Sequence, residues 1–214
     1  MSTALIVFAK APVAGQAKTR LIPALGAQGA ANLAEQLLLH TLQQAFELPV
    51  EHLELCVSPD AQHPAFEQAQ SAAQGRLHLT LQGVGDLGER MHRALTRALT
   101  THSKSLLIGT DAPALTTPML QLALQALDRH DAVFVPALDG GYVLVGLTRP
   151  AATLFLGMTW STPQVMAQTR ERARQAGLQW AELAPVADID EPSDLTHLPP
   201  GLITFPPQII RLKD

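Results

Sequence analysis

The sequence predicts an α/β protein organised on a mixed, mainly parallel central sheet. Three observations carry that prediction. Apolar runs of strand length alternate with stretches of helical periodicity, in the order strand, loop, helix, strand, helix, strand up to residue 81. The first run, residues 4–9, has no polar interruption, as expected of a strand buried on both faces. A short Asp139-Gly140-Gly141 link joins two later apolar runs and allows them to pair antiparallel, which makes the sheet mixed.

At 214 residues the chain fits one domain. Apolar residues make up 47% and charged residues 16%, so the core is expected to be aliphatic and the chain globular. A net charge of −4 and a pI near 6.0 argue against a nucleic-acid-binding surface, so any phosphate site must be local. The lone cysteine, Cys56, excludes an internal disulfide and a cysteine-rich metal site, and its apolar surroundings favour a core residue over a reactive thiol. The histidines lack the i,i+4 pairing of zinc hydrolases. No basic segment precedes the first apolar run, which ends at Lys10, too soon for a signal peptide or membrane span; the chain reads as soluble and cytoplasmic.

After the first strand comes a loop with Pro12 and Gly15, through which Lys10, Lys18 and Arg20 are spaced. Backbone N–H groups and cations converging in such a loop suit a phosphate, although an ordinary solvated loop has the same composition. It is not a P-loop, because Gln16 and Ala17 separate Gly15 from Lys18-Thr19. Residues 27–46 form a helical stripe stopped by Pro49, residues 53–57 a strand, 64–73 a helix ended by Gly75, and 77–81 an alternating strand.

Residues 82–91 turn that strand into a strongly amphipathic helix. Asp86 and Glu89 have capping-box spacing, and Leu87, Met91, Ala94, Leu95, Ala98 and Leu99 follow at helical intervals. Capping does not account for Gln82, Gly83 and Gly85, which could let a nucleotide approach closely. Residues 105–108 form a strand ending in Gly109-Thr110-Asp111, at the carboxyl edge where open parallel sheets bind ligands. Asp111 there suits a divalent cation bridging phosphates, with a simple turn cap as its rival.

Thr117 and Pro118 are placed to start a helix reaching residue 127. Residues 131–137 and 142–147 read as strands flanking the turn with Asp139, and Ser161 or Thr162 with Pro163 as the start of a helix to 175. Arg170, Arg172 and Arg174 spread around that helix as solvated charge. Residues 178–183 allow a further strand. Asp188, Asp190, Glu191 and Asp194 then read either as a charged helix start, with Asp190 as cap and Pro192 in the first turn, or as the source of a second metal ligand, Asp188 or Asp190, facing Asp111. Residues 199–214 read as an extended, proline-rich strap, or alternatively a contact in a homodimer.

Several blocks together resemble a known family. They are Phe8-Ala9-Lys10-Ala11-Pro12 through Lys18-Thr19-Arg20-Leu21, then Gly85-Asp86-Leu87-Gly88-Glu89-Arg90-Met91, Gly109-Thr110-Asp111-Ala112-Pro113, Asp139-Gly140-Gly141-Tyr142, Trp160-Ser161-Thr162 and Asp188-Ile189-Asp190. In this order, over residues 4–195, they resemble small proteins assigned as glycosyltransferases, some linked by name to arsenosugar biosynthesis, within the nucleotide-diphospho-sugar transferase superfamily. A more distant likeness extends to 2-phospholactate and molybdenum-cofactor guanylyltransferases. The family often has Cys or Ser at position 112 and Pro at position 14; Ala112 and Ala14 remove no charge or ligand.

The resemblance implies a glycosyltransferase A-type, Rossmann-like three-layer sandwich. It further implies that Lys10, Gly15, Lys18 and Arg20 hold nucleotide phosphates while Gln82, Gly83, Gly85 and Asp86 approach base or ribose. Asp111 with Asp188 or Asp190 would bind Mg2+ or Mn2+. Asp111, Lys18 and Asp139 are the catalytic candidates, Asp139 as general base, with Tyr142 beside it for acceptor or sugar. The implied partners are a nucleotide sugar or nucleoside triphosphate and a small acceptor. Three readings follow: glycosyl transfer, nucleotidyl transfer with pyrophosphate release, and non-catalytic nucleotide binding.

Overall fold

The apolar run of residues 4–9 becomes β1 (Thr3–Lys10), the strand against which the next two parallel strands are laid. Its side chains alternate between two cores: Leu5, Val7 and Ala9 on one face, Ala4, Ile6 and Phe8 on the other. In this computed structural model, which describes residues 2–202, β1 pairs in parallel with β2 (His52–Ser58) and β4 (Lys104–Ile108). Strand β3 (Leu77–Leu81) pairs in parallel outside β2. β3 spans the residues expected from its alternating pattern.

Beyond β4 one strand, β6, runs against the other six. Strands β5 (Ala132–Pro136) and β6 (Tyr142–Leu147) are antiparallel neighbours, β6 also pairs antiparallel with β4, and β7 (Trp180–Glu182) lies parallel to β5. The seven-stranded order is β3-β2-β1-β4-β6-β5-β7. Gly146 on β6 is packed closely by its neighbours, because a Cβ there would lie 2.4 Å from Leu106 Cδ2 and 2.7 Å from Val133 Cγ1. The sheet is therefore mixed and mainly parallel, as the short turn predicted.

Helices cover both faces. α1 (Ile22–Phe46), α2 (Pro64–Ala72) and α4 (Thr117–Ala126) contribute Leu38, Phe66 and Leu120 to one core. α3 (Leu87–Leu99) and α5 (Val165–Gln175) contribute Leu95 and Met166 to the other. Together with the sheet they make three layers.

Some boundaries differ from expectation, each for a local reason. The predicted helix over 27–46 is α1 beyond a break at Gly26, whose φ of 71° and ψ of 165° are not helical. α4 takes Thr116 as its N-cap residue, while the Thr117 hydroxyl instead donates to the Gln44 carbonyl at 3.0 Å. α5 starts only at Val165, with Gln164 as its N-cap residue; Ser161, with a positive φ of 59°, lies outside the helix. β7 is shorter than predicted, yet the chain beyond it still follows β5: Val186 N–H donates to the Pro136 carbonyl at 3.0 Å. Arg172 is not simply solvated; its guanidinium donates to the carbonyls of Thr153, Leu156 and Gly157. Cys56 is fully buried. Of the expected C-terminal strap, residues 203–214 lie outside the described residues. Among the described residues, no helix is long and apolar enough to cross a membrane.

Candidate functional site

The carboxyl ends of β1 and β4, the 137–141 turn and the 188–190 segment surround a cavity of about 560 Å³. Its position follows from topology: loops leaving the carboxyl ends of parallel strands splay apart and leave a crevice.

Two anchors bring distant pieces of chain to this crevice. Leu21, at the end of a short 3-10 turn (Thr19–Leu21), is fully buried in a small apolar cluster with Ala30, Leu33, Leu37 and Ile189. Ile189 N–H also donates to the Asp111 carbonyl at 2.8 Å. Burying Ile189 leaves the flanking Asp188 and Asp190 to line the cavity, and the same cluster holds Lys18 next to them.

Lys18 is the centre of the resulting charge network. Its Nζ lies 2.6 Å from Asp111 Oδ1 and 2.8 Å from Asp190 Oδ1, and its side chain is only 7% exposed. Burial by itself would lower its pKa; the two carboxylates outweigh that and raise it above the ordinary lysine value. Of the two roles the sequence left open for Asp190, capping is not the one it takes, which frees it for this contact. Glu191 is the cap residue, and Asp194 Oδ2 accepts from the N–H groups of Asp190 and Glu191.

Asp188 is the most perturbed carboxylate. Burial, then the charges of Asp139, Asp190 and Asp111, push its pKa up to about 6. Four acidic side chains thus crowd one wall. Asp139 stays in its turn, with Oδ1 accepting from Gly141 N–H at 2.8 Å.

Cations form the opposing set. Lys10, Arg20 and Arg90 all line the cavity. Lys10 Nζ donates to the Gln16 carbonyl at 2.9 Å, and Arg90 Nε to the Gly85 carbonyl at 2.8 Å. Arg20 has only a distant, exposed contact of 3.7 Å with Glu191. Arg90 was missed as a site residue in the sequence. Its signal was its place one turn after Asp86 at the helix start, where it reads equally as solvent-facing charge.

The predicted base-side residues separate into two groups. Gln82 lines the cavity, but its amide Nε2 donates to the Ala9 and Cys56 carbonyls at 3.2 and 3.1 Å, clipping the ends of β1 and β2 together. Gly83, Gly85 and Asp86 do not line the cavity. Gly85 and Asp86 instead build the helix cap: Asp86 Oδ1 accepts from Glu89 N–H, and Glu89 Oε2 accepts from Asp86 N–H. Gly85 is required there because a Cβ would lie 2.3 Å from Glu89 Oε2, and its φ is +106°. Gly15 likewise shapes its loop without lining the cavity. Tyr142 does line it. Its hydroxyl is buried without a hydrogen-bond partner among the described residues, as is Trp160 Nε1, and the two rings meet edge to face at 6.2 Å. Burial raises the Tyr142 pKa well above its usual value.

This geometry bears on whether a divalent metal fits the site. Asp111 and Asp190 already point one oxygen each at a single cation, the Lys18 ammonium. Among the described residues, no group of three or more His, Cys, Asp or Glu side chains is placed to hold a metal. Two carboxylates fit Mg2+ or Mn2+ handling of a nucleotide, because such ions take their remaining ligands from phosphates and water.

The fold and the crevice at its switch in strand direction define a class, the nucleotidyltransferase and glycosyltransferase-like Rossmann folds. The family described as "Uncharacterized protein conserved in bacteria (DUF2064)" matches residues 41–162, and the chain belongs to it. A crystal structure of a Desulfovibrio desulfuricans protein assigned as a nucleotide-diphospho-sugar transferase is 32% identical, with a TM-score of 0.81, covering 89% of this chain and 84% of that one. Two further likenesses concern the fold alone. The 4-diphosphocytidyl-2C-methyl-D-erythritol synthase of Anaerococcus prevotii has 10% identity and a TM-score of 0.63, covering 92% and 93% of the two chains. Mycobacterium tuberculosis Rv0371C, solved with manganese, has 16% identity and a TM-score of 0.55, covering 92% and 97%. No curated protein matches the chain.

Proposed function

We propose that this protein is a metal-dependent transferase that moves a sugar from a nucleoside-diphosphate sugar to a small acceptor. The observation that carries the reading is the Lys18 ammonium held between Asp111 and Asp190 on a cavity also lined by Lys10, Arg20 and Arg90. Cations and metal-binding carboxylates on one small cavity are what a reaction with a diphosphate leaving group requires. The kinship with the 32% identical Desulfovibrio protein supports the sugar donor.

In this reaction the bond from the sugar's anomeric carbon to the diphosphate oxygen breaks, and an acceptor oxygen takes its place. Negative charge grows on the leaving diphosphate. Lys10, Arg20, Arg90 and Lys18 are preplaced to neutralise it more in the transition state than in the bound donor. A divalent cation held by Asp111 and Asp190 would supply further neutralisation, and Asp188 stands beside them as a third carboxylate. The acceptor proton has Asp139 as its receiver: Oδ1 is fixed by Gly141, which orients Oδ2. Tyr142 lines the same cavity with a buried, unpartnered hydroxyl, which would meet acceptor or sugar only after a shift of the packing around it.

Calorimetry with nucleoside diphosphates, with and without Mg2+, tests the site. Asp111→Asn is expected to abolish the Mg2+-dependent gain in binding. An unchanged gain would refute the assignment. Binding with no turnover across a panel of acceptors would leave the non-catalytic reading.

Nucleotidyl transfer is the second reading, and one observation favours it. Lys10 and Arg90 have no carboxylate partner among the described ion pairs, so the cavity has charge to spare for a triphosphate. There an acceptor phosphate oxygen attacks the α-phosphorus and pyrophosphate leaves. The released product separates the two readings.

A further inference from the structure

We infer that Lys18 is a tethered stand-in for the divalent cation. Its ammonium occupies the point between Asp111 and Asp190 that the metal takes, so metal and Lys18 exclude each other there. The inference rests on the metal-dependent reading above and adds to it an order of events within the site.

The usual disposition of a lysine is reversed here. Lysine normally keeps its charged end in water on a flexible stem. The Lys18 side chain is 7% exposed, whereas Asp111 and Asp190 are 48% and 43% exposed. The carboxylates open towards the cavity, with the ammonium set between them. A buried ammonium is stable only while such partners face it.

A divalent cation drawn to the same two oxygens would lie a few ångströms from that ammonium, and the like charges repel strongly at that range. One of the two must leave. The backbone is not the part that moves. Lys18 sits in the left-handed region (φ 46°, ψ 46°), and the turn after it is pinned by Leu21 in the cluster containing Ile189. The four-carbon side chain can swing instead, and a nucleotide phosphate seated by Lys10 and Arg90 gives the ammonium a new anion.

Phosphate and metal therefore assist one another. The phosphate draws Lys18 from the carboxylates, the metal takes the vacated oxygens, and by linkage each raises the other's affinity. Without a nucleotide, the tethered ammonium holds the metal off. The protein thereby avoids retaining a divalent cation with no substrate present.

The test reads metal binding directly, without nucleotide and without turnover. Mn2+ is titrated into the wild type, Lys18→Met and Lys18→Met/Asp111→Asn, with free Mn2+ followed by electron paramagnetic resonance. Folding of each variant is checked by its melting transition. Lys18→Met is expected to bind Mn2+ about tenfold more tightly than wild type, and the double variant to lose that gain. Equal or weaker binding by folded Lys18→Met would overturn the inference.

A second measurement needs no variant. Acetic anhydride labelling read by mass spectrometry is expected to show Lys18 acylation rising severalfold with saturating Mg2+. Lys104, 8% exposed and paired with Asp128, should not change. Unchanged Lys18 labelling overturns the inference even if transfer proves metal-dependent, in which case the transferase reading stands. Absence of Mn2+ binding in every protein, with nucleotide or without, overturns both.

Discussion

Pairing decides what each charge in the cavity is free to do. Lys18 is engaged by two carboxylates, while Arg90 spends one N–H on the Gly85 carbonyl and keeps the rest of its guanidinium for a ligand. Arg90→Ala should therefore weaken nucleoside-diphosphate binding about tenfold by calorimetry, the scale of one charge-assisted hydrogen bond. Its melting temperature should barely change. Tyr142 allows a cleaner separation of fold from function. Because its hydroxyl makes no hydrogen bond among the described residues, Tyr142→Phe should shift stability by less than about 0.5 kcal/mol. A rise in the acceptor KM without a change in melting temperature would place that hydroxyl on the substrate; an unchanged KM would remove Tyr142 from the site.

At the scale of elements, β6 depends on the absence of a side chain. Gly146 lies opposite Leu106 on β4 and Val133 on β5, so an added methyl meets both neighbours. Gly146→Ala should destabilise the protein by about 1–3 kcal/mol in denaturant unfolding, the cost of overpacking a close-packed core. The edge where β7 joins β5 carries a pH-dependent contribution. Asp131 accepts from Gln179 N–H and pairs with Arg149, and the first of these contributes most to holding its pKa below the ordinary value. A depressed carboxylate stabilises the fold above its unfolded pKa of about 4. That stability is lost as pH falls through the lower folded value. Asp131→Asn should flatten this acid limb of the melting-temperature profile, and an unchanged profile would refute the assignment.

Elements of this kind were largely legible in the sequence. β3 and β6 follow directly from apolar runs bounded by turn residues, and the Asp86–Glu89 capping box from its spacing. Helix starts were less legible, because Thr116 and Thr117 are chemically equivalent until Gln44 claims one of them from another helix.

Across the whole molecule, the site depends on contacts that no local pattern encodes. Lys18 and Asp190 are 172 residues apart, and they meet because Leu21 and Ile189 share one apolar cluster. The sequence showed that each end carried charge at a strand or turn terminus. It could not show that Asp190, rather than Glu191, would be released from capping. Nor could it separate Gln82, which reaches the cavity, from Gly83, which does not, and from Gly85 and Asp86, which serve the helix. Ile189 is the point where this long-range arrangement can be tested. Ile189→Ala removes a fully buried side chain and should cost about 2–5 kcal/mol of stability. It should also weaken Mg2+-dependent nucleotide binding in protein that remains folded, because Asp188 and Asp190 lose their anchor.

The central claim is that these groups act together on a diphosphate leaving group, and the released product tests it most directly. Wild-type protein is incubated with Mg2+ or Mn2+, nucleoside-diphosphate sugars, nucleoside triphosphates and a panel of hydroxylated and phosphorylated acceptors. Metal-dependent release of nucleoside diphosphate, lost in Asp111→Asn, is the expected result. Metal-dependent release of pyrophosphate from a triphosphate would contradict glycosyl transfer and identify a nucleotidyltransferase.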